Sequence, residues 1–379
     1  MKDHSLEVHG CHTYDATGAI SPSICLSATF RHPRFGESTG YDYGRVANPT
    51  RESLEKTVAL LERGGRSWAL SSGMAAVQLV FSLLSAGDHV LMSEDLYGGT
   101  VRLAEEVFAG YGITFEYVDV RDLALVGKRM RPETKLVFIE TPSNPMMQIS
   151  DIAALSALAH ENGALLAVDN TFLSPHFQKP LTLGADIVLH SGTKYLCGHN
   201  DVIAGFLVLK DATSAQAKRI ELLAKSAGPN LSALDSWLML RSIKTLGVRV
   251  ERQAENALAI AQWLGTLPEV TEVLYPGLAD HPGYALQQKQ ASGAGGMISF
   301  KVRSAELAKA ALGKLHLIAF AESLGGVETL LTYPIAQTHA EMPAALLKRT
   351  GLDDKLLRLS VGIEDVEDLK ADLQQALQG

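Results

Sequence analysis

Short apolar runs set the rhythm of the first half of this chain. Between about residues 52 and 210, the segments WALSS, HVLMSE, ITFEYVD, KLVFIE, ALLAVDN, ADIVLH and IAGFLVLK are strand-like in length and composition. Helical stretches such as DIAALSALAHENG separate many of them. This alternation predicts a mostly parallel sheet wrapped by helices. Residues 235–265, DSWLMLRSIKTLGVRVERQAENALAIAQWLG, carry one long helical pattern that links this domain to the C-terminal part of the chain. Beyond it, GMISFKV, HLIAFAES and LLRLSVG read as strands and SAELAKAALGKL and VEDLKADLQQALQ as helices, which predicts a smaller α+β domain. Residues 1–46 are rich in Gly, Pro, Ser, Thr and Tyr with little helical periodicity, and read as an extended arm that needs another surface to lie on. The expected division is therefore 1–46 arm, 47–240 main domain and 241–379 C-terminal domain, with no internal repeat or low-complexity segment.

Composition narrows the partners. The 379 residues exceed one ordinary core, and 46% hydrophobic with 20% charged residues is the make-up of a chain that folds throughout. A net charge of −8 without a dense Lys/Arg run argues against nucleic acid or an anionic membrane as the partner, leaving small molecules. No window is apolar for a spanning length and the polar start lacks a signal-peptide pattern. With Cys11, Cys25 and Cys197 an odd set lacking a C-x-x-C pair, a reducing cytoplasm is expected. His9, Cys11 and His12 are too few ligands without a second cluster, so no metal is expected there or elsewhere.

In a doubly wound sheet, ligands sit beyond the carboxyl ends of the strands, and the unusual polar residues of this chain collect there. KLVFIE ends in Glu140 and runs into TPSNP with Asn144; ALLAVDN carries Asp169; ADIVLH ends in His190 and runs into Ser191, Thr193 and Lys194. Asp169 follows an apolar run, where an unpaired carboxylate is costly and calls for a cationic or donor partner. Lys194 ends the next strand-like run, where partial desolvation makes a lysine nucleophilic toward an aldehyde. A protonated pyridine nitrogen and an aldehyde are the two ends of pyridoxal 5′-phosphate (PLP). On spacing alone, a turn-capping Asp169 and a solvated Lys194 fit equally. For a phosphate, Ser72, Gly73 and Met74 open the helical stretch GMAAVQLVFSLL, where free backbone N–H groups favour an anion. The chain has neither G-x-G-x-x-G nor G-x-x-x-x-G-K-[ST], which counts against dinucleotides and nucleoside triphosphates.

Taken together, Tyr43-Gly-Arg45-Val-Ala-Asn48-Pro49-Thr50, SSGMAA, DLYGGT, ETPSNP, VDNTF, LHSGTKYLCGHND, AESLGGVET and RLSVGIE resemble the Cys/Met-metabolism PLP enzymes over nearly the whole chain. The resemblance implies the type I (aspartate aminotransferase-like) fold of PLP-dependent transferases, with a mostly parallel seven-stranded sheet and a smaller α+β C-terminal domain. It implies that Lys194 holds the cofactor as a Schiff base, that Asp169 pairs with the ring nitrogen, and that Tyr97 stacks on the ring and exchanges protons with the leaving group. Gly73, Met74, Ser191 and Thr193 would cradle the phosphate. Tyr43 and Arg45 would reach the phosphate of a neighbouring subunit, in a homotetramer built as a dimer of dimers. Arg358 would grip the substrate carboxylate, helped by Asn144 and Ser323, which also orient the cofactor; Glu140 and His190 are supporting residues.

Within the family only the distal pocket discriminates. Glu322 stands at an acidic position typical of cystathionine γ-synthases and γ-lyases, where it can face a distal amino group, and Gly99 stands where methionine γ-lyases tend to carry cysteine. The segments RHPRFGESTGYDYGR, FAESLGG and TYPIAQTHAEMP are most similar to bacterial cystathionine γ-synthases that also act as O-acetylhomoserine thiol-lyases. The expected reaction is γ-replacement joining an O-acylhomoserine to cysteine; cystathionine γ- or β-cleavage is the alternative. A non-catalytic PLP-fold module is opposed by the presence of Lys194, Asp169, Tyr97 and Arg358.

Overall fold

The computed structural model describes residues 1–11 and 17–378; His12, weighed above as a metal ligand, lies outside them. All seven apolar runs form strands: β1 (Arg66–Leu70), β2 (His89–Ser93), β3 (Thr114–Val118), β4 (Thr134–Glu140), β5 (Leu165–Asp169), β6 (Ile187–Ser191) and β7 (Gly205–Leu209). They make one sheet in the order β1-β7-β6-β5-β4-β2-β3. Only β7 runs antiparallel to its neighbours. Side chains alternate between the two faces, as the pleat dictates. Along β4, Val137 and Ile139 enter a core with Leu54 and Leu61 of helix Pro49–Leu61 and Leu155 of helix Ile152–Glu161. Leu136 and Phe138 enter the opposite core with Val80 and Phe81 of helix Gly73–Phe81 and Ile220 of helix Ala215–Ala227. Each such fully buried side chain contributes about 1.5–3 kcal/mol, which is what holds a sheet covered on both faces.

The second sheet contains β8 (Val270–Leu274), β9 (Met297–Val302), β10 (Ala319–Phe320), β11 (Leu330–Thr332) and β12 (Leu356–Ser360), in the order β10-β11-β12-β9-β8. Ile298, Phe300, Leu357 and Leu359 pack there against Leu307 and Ala311 of helix Ala305–Leu312 and Leu369 and Leu373 of helix Val366–Leu377. Two of its strands escape the sequence pattern. Strand β8 is a half-exposed edge, and β11 is three residues long, too short to show a period. HLIAFAES contributes only the two-residue strand β10.

Two expectations need correction. Residues 235–265 form two helices, Ala233–Ile243 and Leu246–Leu264, not one. The Ser242 carbonyl, which a continuous helix would give to the amide of residue 246, instead accepts from Thr245 N (3.1 Å), Thr245 Oγ1 (3.1 Å) and buried Arg249 Nη2 (3.1 Å). Nor is the 1–46 segment extended throughout, because Asp3–His9 is helical. Seven residues are too few for helix stability by propensity. Docking supplies it: Leu6 inserts into the first core, and buried Glu7 accepts a hydrogen bond from Gly247 N at 3.1 Å.

Helix Leu246–Leu264 lies just beyond the expected 240/241 boundary and belongs to two cores. Leu246 and Val250 pack in the large domain, while Ala257, Ile260, Ala261 and Leu264 pack in the small one. Among the described residues no helix is long and apolar enough to cross a membrane.

Candidate active site

The parallel strands β4, β5 and β6 end on one rim, and register places Glu140 beside Asp169. A cavity of about 260 Å³ opens there. Its lining includes Gly73, Met74, Tyr97, Asn144, Asp169, Ser191, Thr193, Lys194, Glu322, Ser323 and Arg358 from the sequence-expected set. Tyr43 and Arg45 are not among them. They line a separate, more open groove of about 350 Å³ with Arg51 and Asn230, where the Arg45 guanidinium lies 5.5 Å from the Tyr43 ring centroid.

At the base, one Asp169 carboxylate oxygen accepts from Thr171 N (3.0 Å) and Thr171 Oγ1 (2.5 Å). Burial still raises its pKa above the usual carboxylate value, the cost of a carboxylate without an adjacent cation; the Thr171 bonds and His190 work the other way. Neighbouring Glu140 is raised well above its ordinary value, first by burial and then by Asp169. Glu140 Oε2 accepts from Tyr97 N at 3.0 Å, fixing the start of the DLYGGT turn. Gly99 is required for the same turn: a Cβ there would come within 2.5 Å of the Tyr97 ring.

Helix Gly73–Phe81 starts at the cavity, which Ser72, Gly73 and Met74 line, and Ser72 Oγ caps it by accepting from Ala75 N at 3.1 Å. Gly73 packs against β6 so tightly that a Cβ would lie 2.8 Å from that of Ser191, and a Cβ on Gly205 would lie 2.0 Å from the Ser72 carbonyl oxygen. The approach of helix start to strand end is therefore written into two glycines. The Thr193 hydroxyl donates to Ala204 O and accepts from Ala204 N, tying the lysine-bearing turn to β7.

Lys194 Nζ donates to Ser323 Oγ at 2.8 Å. Burial, then the positive field of Arg358, pushes its pKa down to about 8, with Glu322 opposing. Ser323 holds φ +88°, a left-handed conformation costly for a residue with a side chain, and so turns its hydroxyl to Lys194 while its carbonyl accepts from Arg358 Nη2 at 3.2 Å. Arg358, on β12, is 1% exposed and donates from Nη1 to Asn144 Oδ1 at 2.8 Å. Burial pushes its pKa down to about 10, and its buried Nε–H has no hydrogen-bond partner among the described residues. A buried cation with an unspent donor is suited to a carboxylate. Glu322 is exposed at the cavity edge.

Two participants were not singled out from the sequence. Thr171 lies inside the quoted VDNTF motif, two residues beyond Asp169, the spacing of a turn in which a carboxylate binds its own backbone. Buried His339 pairs its Nε2 with Asn144 O at 3.0 Å, and burial beside Arg358 pushes its pKa down to about 4, so it stays neutral. It lies inside the quoted TYPIAQTHAEMP segment, but nothing in that segment points to its contact with Asn144.

These groups fit PLP: a lysine of lowered proton affinity for the aldehyde, a buried carboxylate lacking a cation for the ring nitrogen, and a glycine-opened helix start with hydroxyls for the phosphate. The model of the Cys/Met metabolism PLP-dependent enzymes matches residues 4–378. The chain belongs to this family. Its members depend on PLP, and the seven-stranded sheet with a smaller sheet domain is their type I fold. The chain is 47% identical to cystathionine γ-lyase of Bacillus subtilis, covering 100% of both chains. It is 46% identical to the cystathionine γ-synthase/O-acetylhomoserine (thiol)-lyase of the same organism, over 96% of this chain and 92% of the relative. Cystathionine γ-lyase from Lactobacillus plantarum, solved with L-serine, superposes with a TM-score of 0.96 at 42% identity, covering 100% of this chain and 99% of that one.

Proposed function

We propose that this family member catalyses γ-replacement: an O-acylhomoserine and cysteine give cystathionine and the free acyl carboxylate. Glu322, an exposed acid lining the same cavity as Arg358, one residue before the serine that holds Lys194, supports a substrate with a distal ammonium group, and the likeness of FAESLGG and TYPIAQTHAEMP to cystathionine γ-synthases favours replacement.

PLP, when bound, supplies the electron sink that makes the protons at Cα and Cβ removable. Lys194 Nζ, steered by Ser323 Oγ, takes the Cα proton as general base; its pKa near 8 keeps a useful fraction unprotonated at neutral pH. Arg358 grips the α-carboxylate with Asn144 and Ser323 beside it, which fixes the Cα–H bond toward Lys194. Tyr97, on the exposed side, passes a proton to the departing acyl group or takes one from the entering thiol. Glu322 pairs with the ammonium of cysteine. Asp169, Gly73, Met74, Ser191 and Thr193 hold the cofactor, and Tyr43 and Arg45 complete the phosphate site of a neighbouring subunit within a tetramer.

A second reading is γ-elimination of cystathionine, favoured by the full-length match to a γ-lyase. Glu322 would then face cystathionine's own distal ammonium. The test is a product assay by mass spectrometry on PLP-loaded enzyme, with O-acetyl- or O-succinylhomoserine plus cysteine beside cystathionine alone. Rapid cystathionine formation with little 2-oxo acid is expected; slow synthesis with rapid cystathionine breakdown overturns the replacement reading, and the thiol released identifies γ- or β-cleavage.

A further inference from the structure

Outside the cofactor cavity, four titratable side chains from three separate segments meet: His4 and Glu7 on helix Asp3–His9, His176 on helix Ser174–Phe177, and Glu251 on helix Leu246–Leu264. We propose that His4, His176 and Glu251 bind a divalent transition-metal ion of the zinc class, with Glu7 as the carboxylate that orients His176.

The hydrogen-bond accounting points to coordination. Glu7 is buried and spent: Oε1 faces His176 Nδ1 at 2.7 Å and Oε2 accepts from Gly247 N at 3.1 Å. In the tautomer that donates Nδ1–H to Glu7, His176 turns an Nε2 lone pair toward Glu251. That atom lies 3.3 Å from Glu251 Oε1, and His4 Nε2 lies 3.4 Å from the same oxygen. Both separations exceed a charge-assisted N–H···O bond, which runs about 2.7–2.9 Å. They match the edge of a coordination tetrahedron: ligands about 2.0–2.1 Å from zinc stand roughly 3.3–3.4 Å apart. The two imidazoles also approach each other, with centroids 5.3 Å apart at 64°. A carboxylate on the far nitrogen is the usual support of a metal-bound imidazole. The cluster has an entry path as well, since the His4 and Glu251 side chains are 63% and 46% exposed, leaving a fourth position to water. Imidazole nitrogens favour zinc, nickel or cobalt over magnesium or calcium.

Space is reserved for this arrangement. A Cβ on Gly247 would come within 2.6 Å of Glu7 Oε2 and 2.8 Å of His4 Nδ1. Spacing in the sequence could not reveal it, because the ligands are separated by 172 and 75 positions, by subtraction of their residue numbers. An ion here would staple the N-terminal helix to the helix shared by both domains and, binding only the folded chain, would stabilise it.

The test uses PLP-loaded enzyme freed of metal by chelation and dialysis, titrated with Zn²⁺ by calorimetry and with Co²⁺ by visible absorption. One ion per chain, a rise in melting temperature with added Zn²⁺, and a tetrahedral Co²⁺ spectrum are expected. His4→Ala and Glu251→Gln, both at exposed positions, each weaken binding by at least about 100-fold, and Glu7→Gln by roughly 10–100-fold. Cys11→Ser leaves it unchanged. Absence of saturable binding, equal affinity in His4→Ala or Glu251→Gln, or loss in Cys11→Ser overturns the assignment.

Discussion

The cofactor cavity, lined from both sheets, and the Tyr43–Arg45 groove are both concavities carrying charged side chains, yet they are built on opposite principles. The cavity is made from strand ends and helix starts of one chain, and most of its charged groups are held by neutral partners: Lys194 by Ser323, Arg358 by Asn144, Glu140 by the Tyr97 backbone. The groove is open, and Tyr43 is 48% exposed. Groups that perturb one another's proton affinity, as Arg358 and Glu322 do at Lys194, are suited to chemistry within their own site. A groove whose aromatic and cationic groups are exposed suits the role proposed above, serving a second copy of the chain.

The sharpest way to break this contrast is at Lys194. Lys194→Ala is expected to cut turnover by at least about 10²–10⁴-fold, the contribution of a positioned general base, and to abolish the yellow colour of the PLP-loaded protein; both are read on one sample by product assay and absorption. Arg358→Lys ranks second. It keeps the charge but loses the fork to Asn144 and Ser323, and kcat/KM is expected to fall about 100-fold through KM, measured by steady-state kinetics on protein shown to be folded by circular dichroism. Arg45→Ala, in the groove, is expected to weaken PLP binding by only about 10-fold. Mixing it with Lys194→Ala after dissociation and reassembly is expected to raise activity above that of Arg45→Ala alone, because hybrids contain sites intact in both parts. No gain on mixing would mean that Arg45 serves its own chain.

The smallest effect is electrostatic. Lys194 must lose its proton to take up the cofactor aldehyde, so uptake by the cofactor-free enzyme rises about tenfold per pH unit below pH 8 and levels off above it, in place of a midpoint near 10.5 for an unperturbed lysine. The negative charge of Glu322 favours protonated Lys194, so Glu322→Gln is expected to shift that midpoint downward. A stopped-flow pH series reads both; an unmoved midpoint would place Glu322 out of range of the lysine.

The same contrast explains what could be read from residues alone. The large sheet was legible because most of its strands are apolar runs buried on both faces, with the edge strand β3 partly exposed, and the rim was legible because its polar residues directly terminate those runs. Where burial is partial or the segment short, the signal fades: β8 is a half-exposed edge, β11 has three residues, and the helix Asp3–His9 owes its existence to what Leu6 and Glu7 touch. The interruption at Lys244–Thr245 contains neither Gly nor Pro and depends on Arg249 capping a carbonyl seven residues back. His339 reaches Asn144 across 195 positions of chain, a contact without a local trace. The expected roles of Tyr43 and Arg45 came wholly from the motif they share with the family.

The helix Leu246–Leu264, rooted in one core by Leu246 and Val250 and in the other by Ile260 and Leu264, also governs how the chain comes apart. Neither domain can melt without stripping apolar cover from its neighbour, so heating is expected to give a single cooperative transition. The same rod defeats dissection. A fragment ending at residue 240 would lack the plugs that close its own core, and its complement would begin with those plugs exposed to water. Functional boundaries in this molecule are drawn by cavities, whereas its unit of stability is the whole described chain.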